Sequence, residues 1–299
     1  MPGSERDRAG AAPAPRWNAG AGANSARDAL QGAITAISAA GCATPRLDAE
    51  VMLADVLGVP RERLITDPGL VVQGPAVRAF QDAVRRRAVA REPVAYIVGR
   101  RSFRRLELAS DTRALIPRPE TELLVEAGLA LAHGLRVADV GTGSGAVALA
   151  LKDERPDLQI TGIDISEQAL ELARANSRGL GLDVSWLAGD LLEGVADRFD
   201  AVLANLPYVA EADRALLAPE ILLHEPDEAL FAGADGLTAV RALAEQLARA
   251  PGIGYVALEV GEGQASRVAQ LLLGAGFGSV AAERDLAGVE RVVVGRRGG

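Results

Sequence analysis

Apolar residues recur at helical spacing over the first third of the chain. Three segments have this pattern and end near a helix-breaking residue: residues 27–41, 45–57 and 77–89. In the first segment Leu30, Ile34 and Ile37 lie three or four positions apart, and Gly41 stops the helix. We therefore predict that residues 26–95 form a small helical domain.

A segment poor in large apolar residues precedes the predicted helices, and the third helix carries a cluster of arginines. Residues 1–25 are rich in Ala, Gly, Pro and Arg and cannot bury enough apolar surface to offset chain entropy, so we predict a disordered tail. The third helix carries Arg85, Arg86 and Arg87, which we expect on its solvent side. Such a cluster is usually a solvated face, and it can also contact an acidic partner.

After Pro93 the pattern changes. Apolar residues at 96–98, and again at 103–108 beyond Gly99, predict short strands or a hairpin. We interpret residues 96–115 as a connector that joins the helical domain to a second domain.

The second domain, residues 116–299, alternates short apolar runs with amphipathic segments, which is the signature of a parallel α/β sheet. The predicted strands are residues 135–140, 159–163, 183–187, 199–204, 253–260, 278–283 and 290–295. The predicted helices are residues 120–132, 144–153, 166–178, 237–249 and 263–275. Because the last two strands are close together, we expect a doubly wound, seven-stranded sheet that ends in an antiparallel hairpin.

Composition and charge argue against several classes of protein. The chain has 299 residues, 49% of them hydrophobic, and its net charge of −8 argues against a nucleic acid held by phosphate contacts alone. Cys42 is the only cysteine, which excludes an intrachain disulfide and fits a reducing cytosol. With only His133 and His224 beside it, we expect no catalytic zinc. We find no apolar run of about 18 residues and no secretory h-region, so we expect neither a membrane span nor a signal peptide.

A glycine-rich turn follows the first predicted strand of the sheet. It reads Asp-Val-Gly-Thr-Gly-Ser-Gly over residues 139–145, and Asp164 ends the second strand about twenty residues on. Glycines let the backbone approach a ligand, and a carboxylate at this place can accept from two ribose hydroxyl groups. The pattern indicates a nucleoside ligand, without separating a nicotinamide cofactor from S-adenosylmethionine.

Two more strands end in polar residues at the same edge. Asp190 follows the third strand, where its carboxylate can accept from an adenine amino group. The fourth strand ends at Asn205, followed by Leu206, Pro207 and Tyr208. An Asn oxygen and a backbone carbonyl can accept from an –NH2 group while an aromatic ring covers its face. Taken alone, this tetrapeptide is equally compatible with a turn whose Asn caps the strand exit.

Longer motifs then follow one another in a fixed order. They are IPRPETE (116–122), GTGSG (141–145), NLPY with VAE (205–211), EPDEAL (225–230) and GADGL (233–237). With the N-terminal helices, these motifs resemble the peptide chain release factor N5-glutamine methyltransferase (PrmC/HemK) family, a branch of the class I S-adenosylmethionine-dependent methyltransferases. The resemblance covers roughly residues 27–296.

The resemblance implies a fold and an activity. The fold would be a Rossmann-like α/β methyltransferase domain joined through a hairpin to a helical domain that recognises the substrate. The enzyme would move a methyl group from S-adenosylmethionine to the amide N5 of the glutamine in the Gly-Gly-Gln motif of class 1 release factors. It would do so in the cytoplasm, as a monomer, without a metal, a membrane or direct contact with nucleic acid.

The resemblance also implies site residues. Those that would hold the cofactor are Gly141, Thr142, Gly143, Ser144, Gly145, Asp164, Asp190, Leu191 and Asn205. Those that would act on the substrate amide are Asn205, Leu206, Pro207 and Tyr208. Phe103 is a candidate wall for the methionine end or a core residue, and we expect Glu120 and Glu225 to anchor loops.

One position departs from that family. Its members usually have Asn-Pro-Pro-Tyr, whereas Leu206 gives Asn-Leu-Pro-Tyr, which resembles the rRNA adenine-N6 dimethyltransferases. Leu206 is freer in φ than proline, but Pro207 after it biases it toward extended conformations, so we expect the loop to keep its geometry with somewhat less preorganisation.

Three other functions remain open on the sequence. An adenine-N6 methyltransferase acting on nucleic acid would flip a base into the same pocket. A nicotinamide-dependent oxidoreductase fits the glycine turn but leaves residues 205–208 unexplained. A non-catalytic binding module would result if Leu206 disabled the loop.

Overall fold

Helices make up the first of two units into which the chain divides, Met1–Val98 and Gly99–Gly299. The computed structural model describes residues 24–298, without the side chains of Asn24 and Asp197. The helices of the first unit in that range are α1 (Ala26–Ala39), α2 (Pro45–Leu57), α3 (Arg61–Thr66), α4 (Pro75–Ala88) and α5 (Val94–Val98). Three of them confirm the helices predicted from apolar spacing, and their buried faces form one core around Ile37, Leu53 and Phe80.

The predicted solvent position of Arg87 is wrong. Its side chain is buried on the face of α4 that packs against α2, and its Nε donates to Asp48 Oδ2 at 2.7 Å. A buried guanidinium needs such a partner because desolvating an unpaired charge is costly. The neighbouring Arg85 is exposed, as predicted.

The predicted tail mostly lies outside the described residues, and its last two positions are ordered. Asn24 and Ser25 form a two-residue strand, β1, antiparallel to β2 (Val71–Val72). Ser25 also caps α1, because its Oγ accepts from the backbone N–H of Asp28 at 3.2 Å. The tail prediction is therefore wrong for these two residues.

The strand predicted at 96–98 is also wrong, because these residues end α5. The helix starts directly after Pro93, whose carbonyl accepts from the backbone N–H groups of Tyr96 and Ile97. The predicted hairpin begins in the second unit, with β3 (Arg100–Phe103) antiparallel to β4 (Leu106–Ala109). Proline at a helix start costs nothing, since its missing N–H would be unpaired there.

A seven-stranded sheet is the centre of the second unit. Its strands are β5 (Arg136–Val140), β6 (Gln159–Asp164), β7 (Ser185–Ala188), β8 (Ala201–Ala204), β9 (Tyr255–Glu259), β10 (Ser279–Arg284) and β11 (Glu290–Arg296). The order is β10-β11-β9-β8-β5-β6-β7; β5 to β9 are parallel, and β11 is antiparallel to both neighbours. This confirms the predicted doubly wound sheet with a terminal hairpin.

Helices cover both faces of the sheet. They are α6 (Glu122–Leu129), α7 (Ala146–Glu154), α8 (Glu167–Leu180), α10 (Thr238–Ala248) and α11 (Ala265–Gly274), whereas the short helix α9 (Pro219–His224) buries none of its residues. In β8 all four residues are buried: Val202 and Ala204 belong to one core cluster and Ala201 and Leu203 to the other. A strand buried on both faces is apolar throughout, which explains the run that precedes Asn205. None of the helices described is long and apolar enough to cross a membrane.

The register of the sheet brings the strand ends together. Val140 lies opposite Ile163 on one side and Ala204 on the other, and Ala204 lies opposite Leu258. The residues that follow β5, β6, β8 and β9 therefore emerge side by side at one edge.

We expect Gly162→Ala, in β6, to lower the free energy of unfolding by about 1–3 kcal/mol, the usual range for overpacking. An added Cβ would lie 2.4 Å from Trp186 Cζ3 and 2.8 Å from Thr142 Oγ1. Denaturant unfolding measures the loss. Gly179→Ala in α8 is the control, because a Cβ there meets nothing within 4 Å. Equal stability of the two variants would contradict the steric argument.

Candidate active site

A cavity of about 240 Å³ opens at the carboxyl edge of the parallel strands. Its walls are residues of the second unit drawn from 113–118, 139–147, 163–166, 189–191, 205–207 and 226–229, together with Thr121, Ala169 and Ala239. Open parallel sheets bind ligands at this edge, so the cavity is the candidate active site.

The glycine-rich turn packs tightly against the loop that follows β8 on one side and against Trp186 on the other. A Cβ on Gly141 would lie 3.3 Å from the carbonyl oxygen of Asn205 and 3.1 Å from Leu206 Cδ2. Gly145 has φ +83°, which favours glycine, and a Cβ there would lie 2.8 Å from Trp186 Cη2. The turn therefore presents bare backbone to the cavity because larger residues do not fit at these positions.

Two carboxylates hold this turn in place. Asp139 is 2% exposed and accepts from Thr142 Oγ1 at 2.6 Å and from the Ala148 backbone N–H at 3.1 Å. Burial raises the pKa of Asp139 to about 6, and these two hydrogen bonds act in the opposite direction. Asp164 accepts from the Gly143 N–H at 2.8 Å, while burial raises its pKa. Asp164 also accepts from the Ser166 N–H at 2.9 Å, and because a carboxylate has about four acceptor sites it keeps some capacity for a ligand.

Asp190 and Leu191 reach the cavity after β7. Asp190 is exposed, and Leu191 has φ 54°, a conformation that residues with a side chain rarely adopt. The next residue, Leu192, donates its backbone N–H to Gln246 Oε1 at 2.6 Å, which fixes the chain after the strained position. Among the described residues no group of three or more His, Cys, Asp or Glu side chains is arranged to hold a metal ion.

Asn205 follows β8, and its half-buried side chain lies at the cavity wall. Its Nδ2 donates to Oγ1 of Thr121, a buried residue, at 3.1 Å. Oδ1 is therefore the end of the amide that does not contact Thr121. In this orientation Asn205 can offer an acceptor to a ligand.

The next three residues differ in what they contact. Leu206 is 4% exposed and packs into the core beneath the cavity. Pro207 lines the cavity, whereas Tyr208 is not part of its described lining. The Tyr208 carbonyl accepts from Gln264 Nε2 at 2.9 Å, and burial raises the pKa of the phenol to about 12, so it stays protonated. The loop is thus anchored by packing at Leu206 and by a hydrogen bond at Tyr208.

Arg118 connects two of the motifs at the cavity. It lines the cavity, and its Nη2 donates to Glu225 Oε1 at 2.6 Å. The Glu225 side chain is 1% exposed. Burial raises the pKa of Glu225, and Arg118 acts against that rise. The expectation that Glu225 anchors a loop fits this contact, which joins IPRPETE to EPDEAL.

We expect Arg118→Met to destabilise the protein by about 1–3 kcal/mol at pH 8, because it leaves a buried carboxylate unpaired. Burial raises the pKa of Glu225 in the folded state, so the charged form of Glu225 lowers the stability of the folded protein at pH values above its unfolded pKa. Protonation of Glu225 removes this unfavourable contribution. The difference in the free energy of unfolding between the variant and the wild type should therefore shrink as the pH falls toward about 5. Unfolding at both pH values measures it, with Arg118→Lys as the control that keeps the charge. A deficit independent of pH would exclude Glu225 as its cause.

The cavity lining includes most of the predicted site residues: Gly141, Thr142, Gly143, Ser144, Asp164, Asp190, Leu191, Asn205, Leu206 and Pro207. Gly145 and Tyr208 are outside the lining and lie directly behind it, against Trp186 and Gln264. Phe103 is 1% exposed in the core around α6 and α7, so it is a core residue.

Three residues at the site were missed on the sequence: Arg118, Thr121 and Asn176. Asn176, in α8, accepts from the Ala109 N–H at 2.7 Å and donates to the Ser144 carbonyl at 3.0 Å, so it supports the glycine turn. Their partners lie 32 to 107 residues away, and no local spacing reveals such pairs. The sequence held one indication that Arg118 and Thr121 belong to the site, which is that both lie in the IPRPETE motif, residues 116–122.

Family models and curated relatives match most of the chain. The PrmC N-terminal domain matches residues 28–99 and the Methyltransferase small domain matches residues 119–242. The release factor glutamine methyltransferase of Rhodospirillum rubrum is 41% identical over 266 residues, covering 87% of this chain and 82% of the relative. That of Deinococcus radiodurans is 40% identical over 278 residues, covering 91% and 99%. A methyltransferase structure from Pyrococcus furiosus, 17% identical, has a TM-score of 0.50 over 65% of this chain and 90% of its own, a likeness of fold alone.

Proposed function

The chain belongs to the family of release factor glutamine methyltransferases, and we propose that it methylates the amide N5 of the glutamine in the Gly-Gly-Gln motif of class 1 release factors, with S-adenosylmethionine as the methyl donor. The observation that carries the proposal is the end of β8, where Asn205, Leu206 and Pro207 meet the cavity next to the glycine turn. A substrate –NH2 group needs two acceptors, and an Asn oxygen with a main-chain carbonyl supplies both.

The residues around the cavity fit this donor. A Cβ at Gly141 would crowd the Asn205 carbonyl, so glycine lets the turn pack directly against the loop after β8 at the cavity. Asp164, the last residue of β6, and Asp190, after β7, both line the cavity. In this proposal Asp164 would accept from the ribose hydroxyl groups and Asp190 from the adenine amino group. S-adenosylmethionine supplies, when bound, a methyl group on a positively charged sulfur that leaves as a neutral thioether.

The protein's own task is to orient a poor nucleophile. An amide nitrogen is unreactive because its lone pair is delocalised into the carbonyl. Asn205 Oδ1 and the Leu206 carbonyl would accept the two amide protons, which aims the lone pair at the methyl group and favours charge build-up on nitrogen. Pro207 would limit the motion of the loop, and Tyr208, which lies behind the lining, would hold the loop from that side through its hydrogen bond with Gln264.

Leu206 is compatible with this role although the family usually has proline there. A proline ring would fix the loop through its backbone, whereas the Leu206 side chain is buried in the core against Gly141. Packing of a buried leucine is worth about 1.5–3 kcal/mol, enough to hold the loop. The activity would therefore survive the substitution.

The substrate is a folded protein, so recognition would extend beyond the tripeptide. The helical unit, Met1–Val98, matches the PrmC N-terminal domain model over most of its length. We assign to it the contact with the release factor outside the Gly-Gly-Gln loop. Because release factors act on ribosomes, the reaction would take place in the cytoplasm.

An intact-mass assay tests the proposal. Protein and S-adenosylmethionine are mixed with a bacterial class 1 release factor, in parallel with a variant whose tripeptide glutamine is alanine. A gain of about 14 Da, one CH2, on the wild-type factor only is expected. No gain under conditions where S-adenosylmethionine binds would contradict the proposal, and methylation of rRNA adenine instead would favour the nucleic-acid alternative.

A further inference from the structure

One polar side chain interrupts the apolar face of α8. The residues that this helix buries are Ala169, Leu170, Leu172, Ala173 and Asn176. All but Leu170 lie three or four positions apart, which is the spacing of a helix stripe that faces a core. Asn176 is 5% exposed, at a position that an apolar residue would occupy if packing alone decided it. Burying an amide is costly unless its groups are hydrogen-bonded, so its partners are informative.

The amide of Asn176 is paired with the last residue of the hairpin strand β4. Its Oδ1 accepts from the Ala109 N–H at 2.7 Å, and its Nδ2 donates to the Ala109 carbonyl at 3.3 Å. The next N–H along the chain, that of Ser110, donates to the Gly99 carbonyl across the hairpin. Because successive residues of a strand direct their N–H groups to opposite sides, those of Ala109 face the open edge of the hairpin. The Asn176 side chain thus takes the place that a third strand would have.

The same amide holds the glycine turn. Nδ2 of Asn176 also donates to the Ser144 carbonyl at 3.0 Å. The N–H of Gly145 belongs to the same peptide group and points the opposite way, because the peptide is planar and trans. It donates to the Thr142 carbonyl at 2.8 Å. The peptide between residues 144 and 145 is therefore fixed on both sides.

The orientation of this peptide matters to the cavity. Gly145 is the cap residue of α7, and the first N–H groups of a helix have no partner within the helix. Ala146 and Val147, the first two residues of α7, line the cavity. The direction of the peptide before them therefore sets how these N–H groups are presented to a ligand.

α8 also supports a second wall of the cavity. The chain leaves β4 at Ala109 and enters the cavity lining shortly afterwards. In that lining segment Ala114 is buried in a small cluster with Ala169 and Leu172 of α8. The helix thus holds this wall by packing, and the amide of Asn176 connects the strand that leads into it to the glycine turn.

We propose that Asn176 is a positioning residue for S-adenosylmethionine, which holds the glycine turn and the end of β4 in one fixed relation and thereby sets the shape of the cofactor cavity. The inference rests on the proposed function and deepens it, because it names a residue outside the cavity lining that determines how tightly the methyl donor binds. A carboxylate or an apolar side chain cannot replace the amide, since the position needs an acceptor together with an –NH2 donor.

Calorimetric titration of Asn176→Leu and Asn176→Asp with S-adenosylmethionine tests the proposal and requires no release factor. Asn176→Leu completes the apolar face of α8, so it should fold, and it removes all three hydrogen bonds. Asn176→Asp keeps an acceptor for the Ala109 N–H and replaces the donor by a carboxylate that repels the Ser144 carbonyl. Each variant should bind S-adenosylmethionine about tenfold more weakly than the wild type, the scale of one lost hydrogen bond.

The same variants should show a raised KM for S-adenosylmethionine and, at saturating donor, a kcat within about threefold of the wild type. This split is expected because Asn176 contacts neither Asn205 nor its loop in the described hydrogen bonds, so the orientation of the substrate amide is unchanged.

Ser177→Ala is the matched control. Ser177 is the next residue of α8, and its Oγ donates to the Leu182 carbonyl at 2.6 Å, outside the cavity lining. The control thus loses a bond from a side chain of the same helix to a carbonyl. It should be less stable than the wild type and bind S-adenosylmethionine with wild-type affinity.

A purely structural role predicts a different result. Both Asn176 variants would then unfold more easily, as Ser177→Ala does, while their folded form bound S-adenosylmethionine with wild-type affinity, and this outcome would overturn the inference. If the wild type binds S-adenosylmethionine without methylating the release factor, the proposed function fails while the titration still decides the role of Asn176. A wild type that does not bind S-adenosylmethionine would overturn both.

Discussion

The variant Asn205→Ala is expected to methylate a release factor about 100 to 1,000 times more slowly than the wild type, the usual effect of removing one preorganised group at a reaction centre. The substitution removes Oδ1, the acceptor that we assign to the substrate amide, and it leaves the Leu206 packing and the glycine turn unchanged. Single-turnover kinetics measure the rate, and calorimetric titration with S-adenosylmethionine should give nearly wild-type affinity.

Asn205→Asp is the matched control for this prediction. It keeps an oxygen acceptor of the same shape and loses the Nδ2 donor to Thr121, so it separates the acceptor from its orientation. We expect a rate between those of the wild type and Asn205→Ala. If Asn205→Ala retained turnover within about threefold of the wild type, the role of Asn205 would be wrong, whatever the affinity for the donor.

The strand ends of the sheet could be predicted because their cause is local. A four-residue apolar run such as 201–204 must be buried on both faces, and the proline at 207 stops the ladder two residues after Asn205. The glycine turn and Asp164 follow from the same reasoning, and parallel pairing then brings all of these ends to one edge. Most of the cavity lining was therefore accessible from the sequence.

What could not be predicted depends on partners far away in the chain. Arg87 looks solvent-facing in its run of three arginines, and only the packing of α4 on α2 reveals its pair with Asp48, 39 residues away. Thr121 and Asn205 are 84 residues apart. A pattern of hydrophobic and polar positions describes faces of elements, and it does not tell which polar side chains meet once the elements pack.

The wrong prediction at residues 96–98 has a different cause. Three consecutive apolar residues fit a strand as well as a short helix, since periodicity cannot separate them over such a length. The decisive contact is with Pro93, whose carbonyl accepts the first helical hydrogen bonds. A proline upstream of an ambiguous run was the signal that favoured the helix.

The variant Gly236→Ala is expected to lose most methylation activity, by about 100-fold, although residue 236 is outside the cavity lining. An added Cβ would lie 2.2 Å from the Tyr208 carbonyl oxygen and 2.8 Å from Gln264 Nε2, the two groups whose hydrogen bond anchors the loop. No real Cβ fits there, so the backbone of Tyr208 must move and Asn205 with it. Steady-state kinetics with a release factor measure the loss.

Gly263→Ala separates this collision from ordinary backbone strain. Both glycines have left-handed φ angles, +72° at Gly236 and +78° at Gly263, so both substitutions cost about 1–2 kcal/mol in conformation. A Cβ on Gly263 meets nothing within 4 Å, and this variant should therefore keep its activity. If the two variants lost activity equally, strain would explain the result. A large loss at Gly236 alone would show that catalysis depends on where the carbonyl of Tyr208 is held, although Tyr208 and Gly236 are both outside the cavity lining.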